Sequence, residues 1–293
     1  MTLSIPGPLK RLLPARFRSD EVVVPVVRLS GVIGQVSAFR QGITLAAVAP
    51  QLKRAFAMKA SPVVAIAINS PGGSPVQSHL VYKRIRALAE EHKKEVIVAV
   101  EDVAASGGYL IALAGDRIIV DRSSIVGSIG VVSSGFGFTG LIDKLGIERR
   151  VYTAGENKSM LDPFQPARDS DIEHLKSLQR DVHDMFIDLV RSRRGAKLSD
   201  EPTLFTGAFW SGARGVELGL VDELGDLRSH LRERFGDKLR LAAIEPKRGL
   251  LGRFGGDKGV GVAGRVSGAF VGETVDHAVA AVSERALWSR YGL

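Results

Sequence analysis

The sequence has no cysteine. Disulfides, thiolate-bound metals and a thiol nucleophile are excluded together, and the absence fits a reducing compartment. Long apolar runs are missing too: no stretch reaches the ~18–20 residues that cross a bilayer. The first residues lack the apolar core of a secretory signal. The expected location is therefore cytoplasmic, with neither a membrane span nor an export signal. Histidine is scarce, with six in 293 residues, and no His, Asp and Glu cluster has metal-ligand spacing. No metal or other cofactor is expected. Nucleic-acid motifs and basic stripes interleaved with aromatics are also missing, so the net charge of +8 and the pI near 9.8 do not point to nucleic acid. Lys and Arg alternate with Glu and Asp along helical faces, as on an ordinary solvated surface.

What is present is the composition of a globular protein, 45% hydrophobic and 25% charged. Residues 1–19 form a basic N-terminal segment. Lys10, Arg11, Arg16 and Arg18 stand there without an acid, beside Leu9, Leu12, Leu13 and Phe17. Such a segment suits peripheral contact with an anionic membrane surface.

From Val22 the pattern alternates between short apolar runs and helical periodicities. Strands are predicted at Val22–Val27, Val63–Ile68, Val96–Val100, Arg117–Val120 and Glu148–Tyr152. The unbroken apolar run at Val63–Ile68 marks a strand covered on both faces. Helices are predicted over 44–59, from Ser74 to about His92, at Ala104–Ala114, at Thr139–Leu145 and over Asp169–Arg194. The last should turn Leu175, Leu178, Val182, Met185 and Leu189 inward. Alternating strands and helices imply an α/β fold with a mostly parallel sheet and right-handed crossovers. One core is expected over 20–244. Residues 245–293 are expected to be a Gly-rich basic linker and an amphipathic helical tail at about 266–289.

Three segments could carry chemistry. Ser70-Pro71-Gly72-Gly73-Ser74 lies between a buried strand and a helix. Its glycines let backbone amides approach a ligand, which suits an oxyanion hole, and a plain strand-to-helix turn explains them as well. Ser106, in Ala105-Ser106-Gly107-Gly108-Tyr109, starts a small-residue helix and is open either to a substrate carbonyl or to ordinary N-capping. Lys158, in Glu156-Asn157-Lys158-Ser159, acts as a base only where burial or a cationic neighbour keeps it neutral; otherwise it is a solvated loop lysine. A Ser-His-Asp triad is the natural competitor. His79, His92, His174, His183, His230 and His277 all fall in stretches that read as helix, none in a glycine-bounded loop.

The ordered series Ser70-Pro71-Gly72-Gly73, Ala105-Ser106-Gly107-Gly108-Tyr109, Val126-Gly127-Ser128-Ile129-Gly130-Val131, Glu156-Asn157-Lys158-Ser159 and Gly215-Val216-Glu217-Leu218-Gly219-Leu220-Val221-Asp222 resembles peptidase family S49, the signal peptide peptidase A type. Lys158 follows Ser106 by 52 residues (158 − 106), which fits the short bacterial form. The resemblance implies a ClpP/crotonase-like fold and a serine endopeptidase with a Ser-Lys dyad, a variant of triad logic. Ser106 would be the nucleophile and Lys158 the base. Gly73 would supply an oxyanion-hole amide, and Ser128 would orient the lysine. Implied substrates are signal-peptide remnants and unfolded protein segments. The implied assembly is a homo-oligomer with active sites shared between subunits. Members commonly begin with a transmembrane anchor, and no such run occurs here. The rival readings are a crotonase-type acyl-CoA hydratase or isomerase, which would leave Ser106 and Lys158 unused, and a non-catalytic oligomeric scaffold.

Overall fold

The computed structural model describes residues 21–34, 42–246, 281–282 and 284–293. The basic segment 1–19 and the linker beyond Pro246 lie outside them, as does most of the expected tail helix, of which the described residues 281–282 and 284–289 are helical.

Among the described residues eight strands form one sheet: β1 Val22–Ser30, β2 Val63–Ser70, β3 Glu95–Ala105, β4 Arg117–Val120, β5 Ile125–Gly127, β6 Phe209–Ser211, β7 Glu223–Leu224 and β8 Leu239–Ala243. The order is β6-β5-β3-β2-β1-β8. The long strand β3 pairs with β4 through Ile97–Val100 and with β5 through Val103–Ala105. Every pairing is parallel except β5 with β6. The expected α/β class with a mostly parallel sheet is thus what the chain adopts. All eight residues of β2 are buried, as its unbroken apolar run requires of a central strand.

Among the described residues seven α-helices connect the strands: α1 Leu45–Phe56, α2 Pro75–His92, α3 Gly107–Ala112, α4 Thr139–Lys144, α5 Asp169–Arg194, α6 Gly212–Glu217 and α7 Leu227–Phe235. Thr44 caps α1 by accepting from the Ala47 amide, and Ser74 caps α2 by accepting from Gln77, with Pro75 opening the helix. On one face of the sheet Leu52 and Phe56 of α1 and Val81, Ile85 and Leu88 of α2 pack on Val64, Ile66, Ile68 and Val98. Each such side chain contributes about 1.5–3 kcal/mol by leaving water. The other face packs Val24, Val63, Ala65, Ile97 and Ile119 against Leu231 of α7.

Three expectations are corrected. Strand β3 runs five residues past Val100, so Ala104 and Ala105 are strand and not helix. The Asn69 side chain extends the pairing there. Its carbonyl accepts from Val103 N at 3.2 Å and its amide donates to Asp102 at 2.6 Å, across the register shift between β2 and β3. Residues 148–152 form no strand. Arg150 pairs with Glu148, and Arg149 pairs with Asp162 and stacks on Phe164, so local charges direct this segment rather than a sheet edge. On α5 the buried residues are Asp171, Phe186, Val190 and Arg194, with Leu178 exposed. The second half of that helix meets the core, where the expected Met185 and Leu189 pack beside Phe186 and Val190, while the expected Leu178 faces out.

Candidate active site

Parallel sheets place functional loops at the carboxyl ends of their strands, and the site is built from the ends of β2, β3 and β5. At the end of β3 the chain reverses through Ser106, whose φ of 52° and ψ of −122° lie in a region L-residues seldom occupy. Two hydrogen bonds hold it there: Ser106 N donates to the Gly127 carbonyl at 2.8 Å, and Leu110 N donates to the Ser106 carbonyl at 3.0 Å. The Ser106 side chain makes no capping bond to α3. The N-capping role that competed for this serine is therefore not the one it plays. The residue is half-buried at a strand-to-helix turn.

The loop after β2 closes over the same turn. Gly72 and Gly73 have φ of 108° and 140°, open to glycine and strained for other residues. A β-carbon on Gly73 would fall 2.1 Å from the Ile33 carbonyl oxygen. Ile33 grips this loop, donating to the Gly72 carbonyl and accepting from Ser74 N, both at 2.8 Å. The amide of Gly73 finds no acceptor among the described residues.

Ser128 follows Gly127 at the end of β5 and also has a positive φ, 55°. Its amide donates to Ala208 at 2.7 Å, and the residue is only 5% exposed. Since Ala105 pairs with Gly127, Ser106 and Ser128 leave adjacent strand ends side by side. Gly73, Ser106 and Ser128 are thus brought together. Lys158 is not joined to them. It sits exposed in a turn, its amide donating to Gly155, and no hydrogen bond links it to Ser106 or Ser128 among the described residues.

The fifth motif lies behind the site. Tyr109 of α3 donates its hydroxyl to the Leu220 carbonyl at 2.7 Å, and burial pushes its phenol pKa up. Asp222 accepts from Arg194 at 3.0 and 3.1 Å and from Ile118 N at 2.8 Å. This segment therefore anchors the helix that follows Ser106.

A family model, peptidase family S49, matches residues 89–235. A provisionally designated protease of Synechocystis sp. is 31% identical over 206 residues, 68% of this chain and 74% of that protein. The chain belongs to peptidase family S49. The chloroplastic serine protease SPPA of Arabidopsis thaliana is 31% identical over 163 residues, 55% of this chain and 24% of that protein. A Brucella abortus protein designated Na(+)/H(+) antiporter NhaA is 56% identical over the whole of this chain, which spans 40% of that protein's length. Among the described residues no helix is long and apolar enough to cross a membrane. The S49 match contains Ser106, Ser128 and Lys158, whereas Gly73 and residues 281–293 lie outside it.

Two features of this S49 chain escaped sequence reasoning. The strained backbone of Ser106 has no signature in composition. Tyr291 donates its hydroxyl to Ser128 Oγ at 3.3 Å. The aromatic pair Trp288 and Tyr291, three residues apart, is the signal that marks it.

Proposed function

We propose that this chain is a serine endopeptidase of ClpP/crotonase-like fold, its peptidase domain spanning residues 20–244, in which Ser106 attacks the peptide carbonyl. The observation that carries this reading is the Ser106 turn: a hydroxyl that caps no helix, in strained backbone, next to the glycine loop whose Gly73 amide has no acceptor among the described residues. Strain of this kind gathers at functional sites. In the proposed reaction Lys158 takes the Ser106 hydroxyl proton as Oγ bonds to the carbonyl carbon. The oxyanion accepts from Gly73 N–H. The protonated lysine returns its proton to the leaving amine, and water, deprotonated by the same lysine, hydrolyses the acyl-serine. Ser128 orients the lysine.

Lys158 reaches this site from a neighbouring copy of the chain. The segment that precedes it supports this, because Val132, Phe136, Leu141, Leu145, Ile147 and Tyr152 are exposed between 132 and 152, with Phe136 at 82% and Tyr152 at 91%. An apolar surface of that kind marks an interface. The substrates are extended peptides such as signal-peptide remnants and unfolded segments. A serine-directed phosphonate tests the nucleophile: adduct formation at Ser106, lost in Ser106→Ala, is expected. Modification elsewhere, or none, sinks the reading, and the acyl-CoA and scaffold alternatives give none.

A further inference from the structure

We propose that Tyr291 is a positioning residue for this reaction, acting through Ser128; the inference rests on the peptidase reading above. Tyr291 lies 163 residues from Ser128 in sequence and beyond the residues matched by the S49 family model. It is 7% exposed, and its ring packs with Val103 and Ala105, the strand residues that lead into Ser106. Phe209 meets the ring edge-on, with centroids 5.0 Å apart and planes at 76°. The end of the segment is locked as well. Tyr291 N and Leu293 N both donate to the Trp288 carbonyl, and Gly292 takes a φ of 76° to close the turn.

Ser128 has a fixed backbone and a free side-chain torsion. Its amide is bound to Ala208, and the Tyr291 phenol is the partner its hydroxyl has among the described residues. A serine hydroxyl offers one proton and two lone pairs. Donation from Tyr291 occupies one lone pair and selects the rotamer, leaving the other lone pair to accept an N–H of the lysine amine, whose own lone pair stays free for the Ser106 proton. A buried tyrosine needs a partner for its hydroxyl in any case. What distinguishes this one is that its partner stands beside Ser106.

A double-mutant cycle on the full chain separates positioning from plain packing. Tyr291→Phe keeps the ring and loses one hydrogen bond, so kcat for a peptide substrate should fall about fivefold with KM unchanged. In a Ser128→Ala background the same substitution should change kcat no further. An equal loss in both backgrounds, or an unchanged kcat in the first, overturns the role of Tyr291. Urea midpoints of each variant report its folding. Phosphonate labelling of the unaltered chain keeps the two readings apart. If Ser106 is not labelled, the peptidase reading fails and this inference with it; if Ser106 is labelled and the cycle shows no coupling, only this inference fails.

Discussion

A β-carbon placed on Gly72 would lie 2.8 Å from the β-carbon of Ser106. No side chain fits that gap, and the φ of 108° at Gly72 disfavours one independently. Gly72→Ala should therefore displace the Ser106 turn at a cost of about 1–3 kcal/mol. Phosphonate labelling of Ser106 should slow at least in proportion. Urea denaturation and the labelling rate measure the two effects, and a variant that keeps both values refutes the close approach.

The strain at Ser106 can be read directly. Ser106→Gly and Ser106→Ala both remove the hydroxyl, and only glycine is at ease at φ 52°. The glycine variant should be more stable than the alanine variant by about 1 kcal/mol. Neither should cleave peptide. Equal stabilities would show that the turn is unstrained.

Asp222 gives an expectation for pH. Burial raises its pKa, but hydrogen bonds from Arg194 and Lys197 and the charge of Arg194 outweigh burial and hold the carboxyl below its usual value. A carboxylate depressed in the folded state contributes stability above its unfolded pKa, and that stability is lost as pH falls through the lowered folded value. Asp222→Asn should flatten the acid limb of the stability profile. At neutral pH it should cost about 3–5 kcal/mol, because the buried Arg194 guanidinium loses its counter-charge. Chemical denaturation across acidic pH checks both statements.

A shared site predicts complementation. Ser106→Ala and Lys158→Ala should each be inactive alone as homo-oligomers. Co-expressed, they place an intact serine beside an intact lysine at some interfaces, and partial peptidase activity should return. Lys158→Arg should stay inactive with every partner that lacks its own Lys158, since guanidinium keeps its proton. A mixed oligomer, verified by mass spectrometry, that stays silent would place the dyad within one subunit.

Much of this fold could be read from local pattern. The run Val63–Ile68 becomes a fully buried strand, the segment 169–194 is a helix with the expected bounds, and Ser74 with Pro75 opens a helix as its chemistry suggests. Local rules succeed there because the deciding interactions span a few residues. They failed at 148–152, where strand propensity had no partner edge to pair with. They failed also at Leu178, where no core lies within reach of the helix face.

The sequence by itself determined the alternation of strands and helices, the absence of thiol and metal chemistry at cysteine, and a short set of candidates: Gly73, Ser106, Ser128 and Lys158. The tertiary structure decided which of them meet. It set Ser106 in strained backbone through a bond to Gly127, closed the Gly72–Gly73 loop over it through Ile33, and left Lys158 exposed in a polar turn that follows an exposed apolar segment. It also brought Tyr291 to Ser128. Contacts between residues far apart in the chain depend on how whole elements pack, and no local window of sequence contains both partners.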